Sequence, residues 1–174
     1  MKRGTGWLLA ALMFAGCHKA DDGLFASNRP IALETLLAMT PQGDFEPGRD
    51  FANDYLVLIY VTQLTCETCK LRELKVLAEM ATRYRDRVDF ALVTNGGESD
   101  DYRRLRKIGL VNFPILRETI AGELGLAGAT FLIGFVDKQS GTMVLEYHPV
   151  SDPVKAHLIQ EFESRFLHYI ESRG

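Results

Sequence analysis

Cys66-Glu67-Thr68-Cys69 is the segment of this chain whose residue types and spacing can do chemistry. It follows the apolar run Tyr55 to Val61 and opens the helical pattern Lys70 to Tyr84. A thiol at the first turn of a helix faces unpaired backbone N–H groups and the positive end of the helix dipole, which favour its thiolate. Such a thiolate attacks a disulfide near neutral pH. A second thiol three residues on lies one turn away on the same side, where it can resolve the mixed disulfide. The spacing therefore supplies a nucleophile, Cys66, and a resolving thiol, Cys69. A carboxylate at Glu67 opposes thiolate formation at its neighbour and raises that thiol's pKa.

The elements that must hold this pair are legible around it. Tyr55-Leu56-Val57-Leu58-Ile59-Tyr60-Val61 is a continuous apolar, β-rich run, the pattern of a strand buried on both faces, and it is expected to be the central strand. Beyond the cysteines, Leu71, Leu74, Leu77, Ala78, Ala81 and Tyr84 recur at steps of three and four, with Arg72, Glu73, Glu79 and Arg83 assigned to the opposite, polar side of an amphipathic helix. Val88 to Val93 reads as a second strand, ended by Asn95-Gly96-Gly97. Asp100 to Lys107 reads as a charged helix ending near Gly109. Thr130 to Val136 and Thr142 to Tyr147 form a predicted antiparallel hairpin around Asp137 to Gly141. Ser151 or Asp152 can cap a last helix with Pro153 in its first turn, and Leu158, Phe162, Phe166 and Ile170 recur every four residues. Ile31 to Phe51 fits either a short helix or irregular extended chain. This order predicts an α/β sandwich with a mixed sheet.

At 174 residues and 47% hydrophobic content, the chain is long enough for one domain with a sizeable core. Its formal charge of −3 lacks the basic excess of a nucleic-acid surface. Lys2 and Arg3, the apolar stretch Trp7 to Phe14 and the small residues Ala15-Gly16 have the layout of a signal peptide, and that stretch is too short to span a bilayer. Phe14-Ala15-Gly16-Cys17 resembles the bacterial lipobox, with Phe14 where leucine is usual. The resemblance implies a lipidated Cys17 as the first mature residue. The expected layout is a signal peptide over 1–16, a flexible tether over 17–29 and one domain over 30–174. Of three cysteines, one assigned to lipid leaves a single pair, and in an oxidising compartment that pair rests as a disulfide unless a partner reduces it.

From about Asp54 onward the chain resembles the thioredoxin-fold proteins, and among them the membrane-anchored TlpA/ResA-like thiol-disulfide oxidoreductases and their peroxiredoxin-like relatives. Besides the cysteine pair, Asn112-Phe113-Pro114-Ile115-Leu116 resembles that family's segment before its third helix. Glu123-Leu124-Gly125-Leu126 is similar to the end of that helix, and Gly128-Ala129-Thr130-Phe131-Leu132-Ile133 to the entry into the hairpin. The resemblance implies a three-layer α/β/α sandwich with a C-terminal hairpin and helix. It also implies disulfide exchange with extracytoplasmic proteins on the outer, or periplasmic, side of a bacterial membrane. The expected partners are a protein thiol or disulfide substrate and a second redox protein; no cofactor and no nucleic acid is expected.

Several residues depart from the family pattern. Ala129 stands where the family places a cis-proline, so the loop at Ala129 and Thr130 is expected to dock substrate with a trans bond, since a cis bond before alanine costs about 3 kcal/mol. Pro114 is the one rival for the proline position. Thr65 replaces the tryptophan usual before the first cysteine, and no acidic residue lies in Tyr55 to Val61, so no general base is assigned. Two thiols also suit Cu(I), with His148 the first histidine to test as a third ligand. A SCO-like copper chaperone resembles this chain in fold and anchoring, but that family separates its cysteines by three residues. Thr65-Cys66 is similar to the peroxidatic motif of peroxiredoxins, without its upstream proline. Zinc wants four ligands, and no second cysteine pair exists. His18 falls in the expected tether, and His157 and His168 on the last helix.

Overall fold

In the computed structural model, residues 24–41, 51–61, 67–94, 104–117, 122, 124–126, 129–149 and 157–173 are described. Tyr55–Val61 forms β3, with Leu56 to Val61 almost wholly shielded from solvent. Its alternate side chains divide between two cores, as the period of two requires. Val57, Ile59 and Val61 join one apolar cluster and Leu56, Leu58 and Tyr60 the other.

β3 is the middle strand of a seven-stranded sheet ordered β1-β7-β6-β3-β4-β5-β2. Around it stand β1 (Leu24–Pro30), β2 (Thr40–Pro41), β4 (Asp89–Thr94), β5 (Ile115–Arg117), β6 (Phe131–Asp137) and β7 (Thr142–Tyr147). β3, β4 and β5 run parallel, while β6, β7, β1 and β2 each pair antiparallel to a neighbour. The expected mixed sheet and hairpin are therefore present, with strand limits one residue later than predicted for β4 and β6. Asp137 caps the hairpin turn by accepting hydrogen bonds from the N–H groups of Gln139 and Ser140, and Gly141 takes the positive φ of 65° that closes it.

Two long helices, α2 (Glu67–Tyr84) and α3 (Leu158–Arg173), cover one face of the sheet; in chain order α1 (Leu33–Ala38) precedes them on the other. Leu74, Leu77, Ala78 and Ala81 of α2 meet Phe162 and Phe166 of α3 over Val57, Ile59 and Phe135. Phe135 stacks on Phe166 at 5.3 Å, and Tyr84 and Arg83 both reach Glu163, tying the two helices together. On the other face Leu36, Met39, Phe51, Leu124 and Leu126 cover Leu56, Leu58 and Leu132. A helical turn over 104–107 ends at Gly109, whose φ is 72°.

One expectation needs correction. Residues 24–29, assigned to the tether, belong to β1, so the folded unit includes Leu24 to Arg29 as well as the residues from 30 onward. Leu24 is only 5% exposed against the helical face, and Ser27 and Arg29 bind Glu146 on β7. An edge strand with one deeply buried side chain carries no alternating apolar pattern, so its pairing was invisible in the sequence. The described part of the stretch Ile31 to Phe51 holds the short helix α1 and the two-residue β2, and residues 42–50 lie outside the described residues. Within the segment Asn112 to Leu116 the chain enters β5, Ile115–Arg117, which pairs parallel to β4. Ser151, Asp152 and Pro153 lie outside the described residues.

Candidate functional site

The carboxyl end of β3 gathers the expected site elements. Val61 ends β3 opposite Phe131, the first residue of β6, and β4 ends beside it at Thr94. α2 begins at Glu67, so Cys69 falls within its first turn and Cys66 is the residue immediately before it in sequence. Residues 62–66, Cys66 and Thr65 among them, lie outside the described residues, as do Cys17 and the side chain of Cys69.

Ala129 and Thr130 lead into β6 at this same end. Ala129 is half-buried on the α1 side and donates its N–H to the Leu126 carbonyl, while Thr130 is exposed. Pro114 sits elsewhere: its carbonyl accepts the Leu92 N–H as the chain enters β5, and no peptide bond among the described residues is cis. It is thus the lead-in to a parallel strand, not to the hairpin. The bond between Gly128 and Ala129 lies outside the described residues.

His148 follows the last residue of β7. Its Nε2 lies 3.4 Å from Glu146 Oε2, and its ring meets Phe25 edge-on at 6.0 Å. Two strand steps separate β7 from β3. Among the described residues no group of three or more histidine, cysteine, aspartate or glutamate side chains is placed to hold a metal ion. His157 lies at the start of α3, where its carbonyl accepts the N–H groups of Gln160 and Glu161, and His168 is exposed on α3.

One residue at this end was misassigned. Glu73, expected on the polar side of α2, is 1% exposed. Arg72 donates to its Oε1 at 3.1 Å, the Tyr147 hydroxyl faces this carboxyl, and among the described residues its Oε2 is buried without a partner. Burial pushes the Glu73 carboxyl above the usual carboxylate range, against the opposing pull of Arg72 and Tyr147. Burial, reinforced by the Glu73 charge, likewise holds the Tyr147 hydroxyl far above the usual phenol range. Tyr147 pairs with Ile133, which pairs with Ile59, so the Glu73–Tyr147 contact lies near the carboxyl end of β3. Glu73 is four residues after Cys69 and four before the buried Leu77, the spacing of one helix side. That spacing is the signal in the sequence for its burial.

No protein-family model matches the chain, and no curated protein does. Solved structures do. The C-terminal domain of a protein from Bacteroides thetaiotaomicron, provisionally described as a thiol-disulfide oxidoreductase, superposes with a TM-score of 0.57 at 7% identity, covering 85% of this chain and 97% of that one. A Chlorobium tepidum protein, provisionally described as a thiol:disulfide interchange protein DsbE, gives 0.54 at 12% identity over 68% of this chain and 81% of its own. A DsbF homologue from Corynebacterium diphtheriae gives 0.52 at 10% identity over 82% and 94%. At these identities the likeness is one of backbone. With a mixed sheet and a helix carrying Cys69 just beyond its central strand, this chain has a thioredoxin-like fold.

Proposed function

We propose that this protein is a thiol-disulfide oxidoreductase that exchanges disulfides with extracytoplasmic proteins through Cys66 and Cys69. The observation that carries this reading is the place of the pair. Cys69 occupies the first turn of the helix that follows the central strand of a thioredoxin-like sheet, and Cys66 directly precedes that helix in sequence. The solved structures of similar backbone are described as thiol-disulfide proteins, which supports the same chemistry.

In the oxidising direction for the pair, the Cys66 thiolate attacks a sulfur of the substrate disulfide, forming a mixed disulfide and releasing one substrate thiolate. Cys69 then loses its proton and attacks Cys66 Sγ; the Cys66–Cys69 bond forms, the mixed bond breaks and the substrate leaves as a dithiol. Two electrons pass from the pair to the substrate. The reverse sequence oxidises a substrate dithiol. Glu73, one helical turn beyond Cys69 and with one oxygen unpartnered among the described residues, is the group that accepts the Cys69 proton. Lipidation at Cys17 holds the mature protein on the extracytoplasmic side of a bacterial membrane. No helix among the described residues is long and apolar enough to cross one.

Glutathione-buffered titration with mass mapping of the Cys66–Cys69 bond, together with insulin reduction, tests the reading. Reversible formation of that bond and loss of insulin reduction in Cys66→Ser are expected. Insulin reduction unchanged in Cys66→Ser, or a pair that never closes, would overturn it, and tight binding of one Cu(I) through both thiols would indicate a metal carrier instead.

A further inference from the structure

We infer, on the basis of the proposed exchange at Cys66 and Cys69, that Tyr147 is a positioning residue for the resolving step: its hydroxyl is the internal donor that lets the buried Glu73 carboxyl ionise and so receive the Cys69 proton. Glu73 is 1% exposed on α2, beside Leu74 and Leu77, which are wholly shielded. A carboxylate in such surroundings is costly unless donors face it. Among the described residues two groups do so, Arg72 from α2 itself and the Tyr147 hydroxyl from β7. The two differ in kind. The Arg72 side chain is 40% exposed, so water screens its charge. Tyr147, at 1% exposure, acts from inside the domain.

Tyr147 is also fixed in place. It ends β7, where it pairs with Leu24 of β1 on one side and Ile133 of β6 on the other, and its ring lies 6.2 Å from that of Phe162 on α3. A ring held by two strands and a helix presents its hydroxyl at one point, so the donor is already aimed when the carboxyl becomes charged. Burial, with the Glu73 charge adding to it, holds this hydroxyl far above the usual phenol range. It therefore keeps its proton wherever a carboxyl or a thiol titrates and remains a donor throughout. Arg72 occupies Oε1, and Oε2, buried without a partner among the described residues, is left to take the incoming proton.

In the transfer the Cys69 S–H bond breaks and an O–H bond forms on Glu73, while Tyr147 keeps its own proton. A Glu73 that already holds a proton cannot accept another, so resolution slows as pH falls through the Glu73 value. Without the Tyr147 hydroxyl the charged carboxyl loses a donor, burial acts with less opposition, and that value rises further. The test follows the Glu73 carboxyl stretch by infrared difference spectroscopy across pH, assigned by its loss in Glu73→Gln, in the reduced full-length protein and in Tyr147→Phe. Quenched-flow trapping of the mixed disulfide runs alongside it. In Tyr147→Phe the carboxyl midpoint should lie about one unit higher, with resolution about tenfold slower on its acid side and approaching the parental rate in base. A tyrosine that only packs would lower the melting temperature and leave both midpoints in place, which overturns the inference, as does a moved carboxyl midpoint with an unmoved resolution profile. Added to Glu73→Gln, Tyr147→Phe should slow resolution no further, and extra slowing shows that it does not act through Glu73. Should Tyr147→Phe fail to fold, a ring-fluorinated tyrosine in place of Tyr147 keeps the shape and donates more strongly. The Glu73 midpoint should then fall, and an unchanged one overturns the inference. The exchange reading fails separately: a pair that never closes in the glutathione titration removes the resolving step, and any role in it, whatever the carboxyl titration shows.

Discussion

Glu73 is the described side chain whose environment differs most from what its type implies. A carboxyl with a folded-state pKa raised by burial binds its proton more tightly in the fold than in the unfolded chain. Its contribution to stability is complete below the unfolded value and is lost as pH rises through the raised folded value. Each unit of difference corresponds to about 1.4 kcal/mol. Glu73→Gln keeps the shape and removes the titration, so its melting temperature relative to the parent should rise as pH is taken from about 4 to 8. If Glu73 takes the Cys69 proton, the same variant should resolve its mixed disulfide about a hundredfold more slowly at neutral pH. Thermal melts across pH, with quenched-flow trapping of the mixed disulfide, read both. A melting difference independent of pH would show that the fold does not raise the Glu73 pKa, and unaltered resolution would remove it from the chemistry.

At the scale of elements, β1 hangs on one side chain. Burial alone would push the Glu146 carboxyl up, but hydrogen bonds from Ser27 and Arg29, the Arg29 charge and a contact from His148 outweigh it and hold the pKa below the usual range. A depressed carboxylate contributes its stability above the unfolded value and loses it as pH falls through the folded one. β1 should therefore lose protection first in acid, at pH below about 4, while β3 remains closed. Hydrogen-exchange protection factors for the two strands measure this, and Glu146→Gln should show the same loss at neutral pH. Protection in β1 that tracks β3 at every pH would mean that backbone pairing and Leu24 hold the strand without the clamp. β1 also marks the limit of what was legible. β3, α2, the hairpin and α3 announce themselves through local periodicity, because each buries a whole face. β1 is an edge strand without apolar alternation, β2 and β5 are very short, and the pairing of all three depends on distant residues. The same distinction divides the site: Cys66 and Cys69 stand out by spacing alone, whereas the meeting of Glu73 with Tyr147 joins residues far apart in the chain.

Across the whole molecule, the sheet separates two ends. The carboxyl end of β3 carries Cys69, Glu73, the Ala129–Thr130 loop and the entry of the chain; the other end is built of satisfied buried charge. There Asp89, 5% exposed in its side chain, accepts from Lys138 Nζ at 2.8 Å and from the backbone and side-chain nitrogens of Asn53, while Lys138 also binds the Phe51 carbonyl. Asp137 similarly accepts from Tyr169 and Arg173 and fixes the hairpin turn. Removing one partner of a buried pair leaves an uncompensated charge, which costs more than the pair itself contributes. Lys138→Met should therefore lower unfolding free energy by about 3 kcal/mol, read from the midpoint of urea denaturation. Because Lys138 lies a full strand length from the cysteine helix's first turn, insulin reduction per folded molecule at 25 °C should stay at the parental rate. A slower exchange in a variant that is still folded would mean that the two ends are coupled through β3 and β6, and that the scaffold does more than hold the redox end in place.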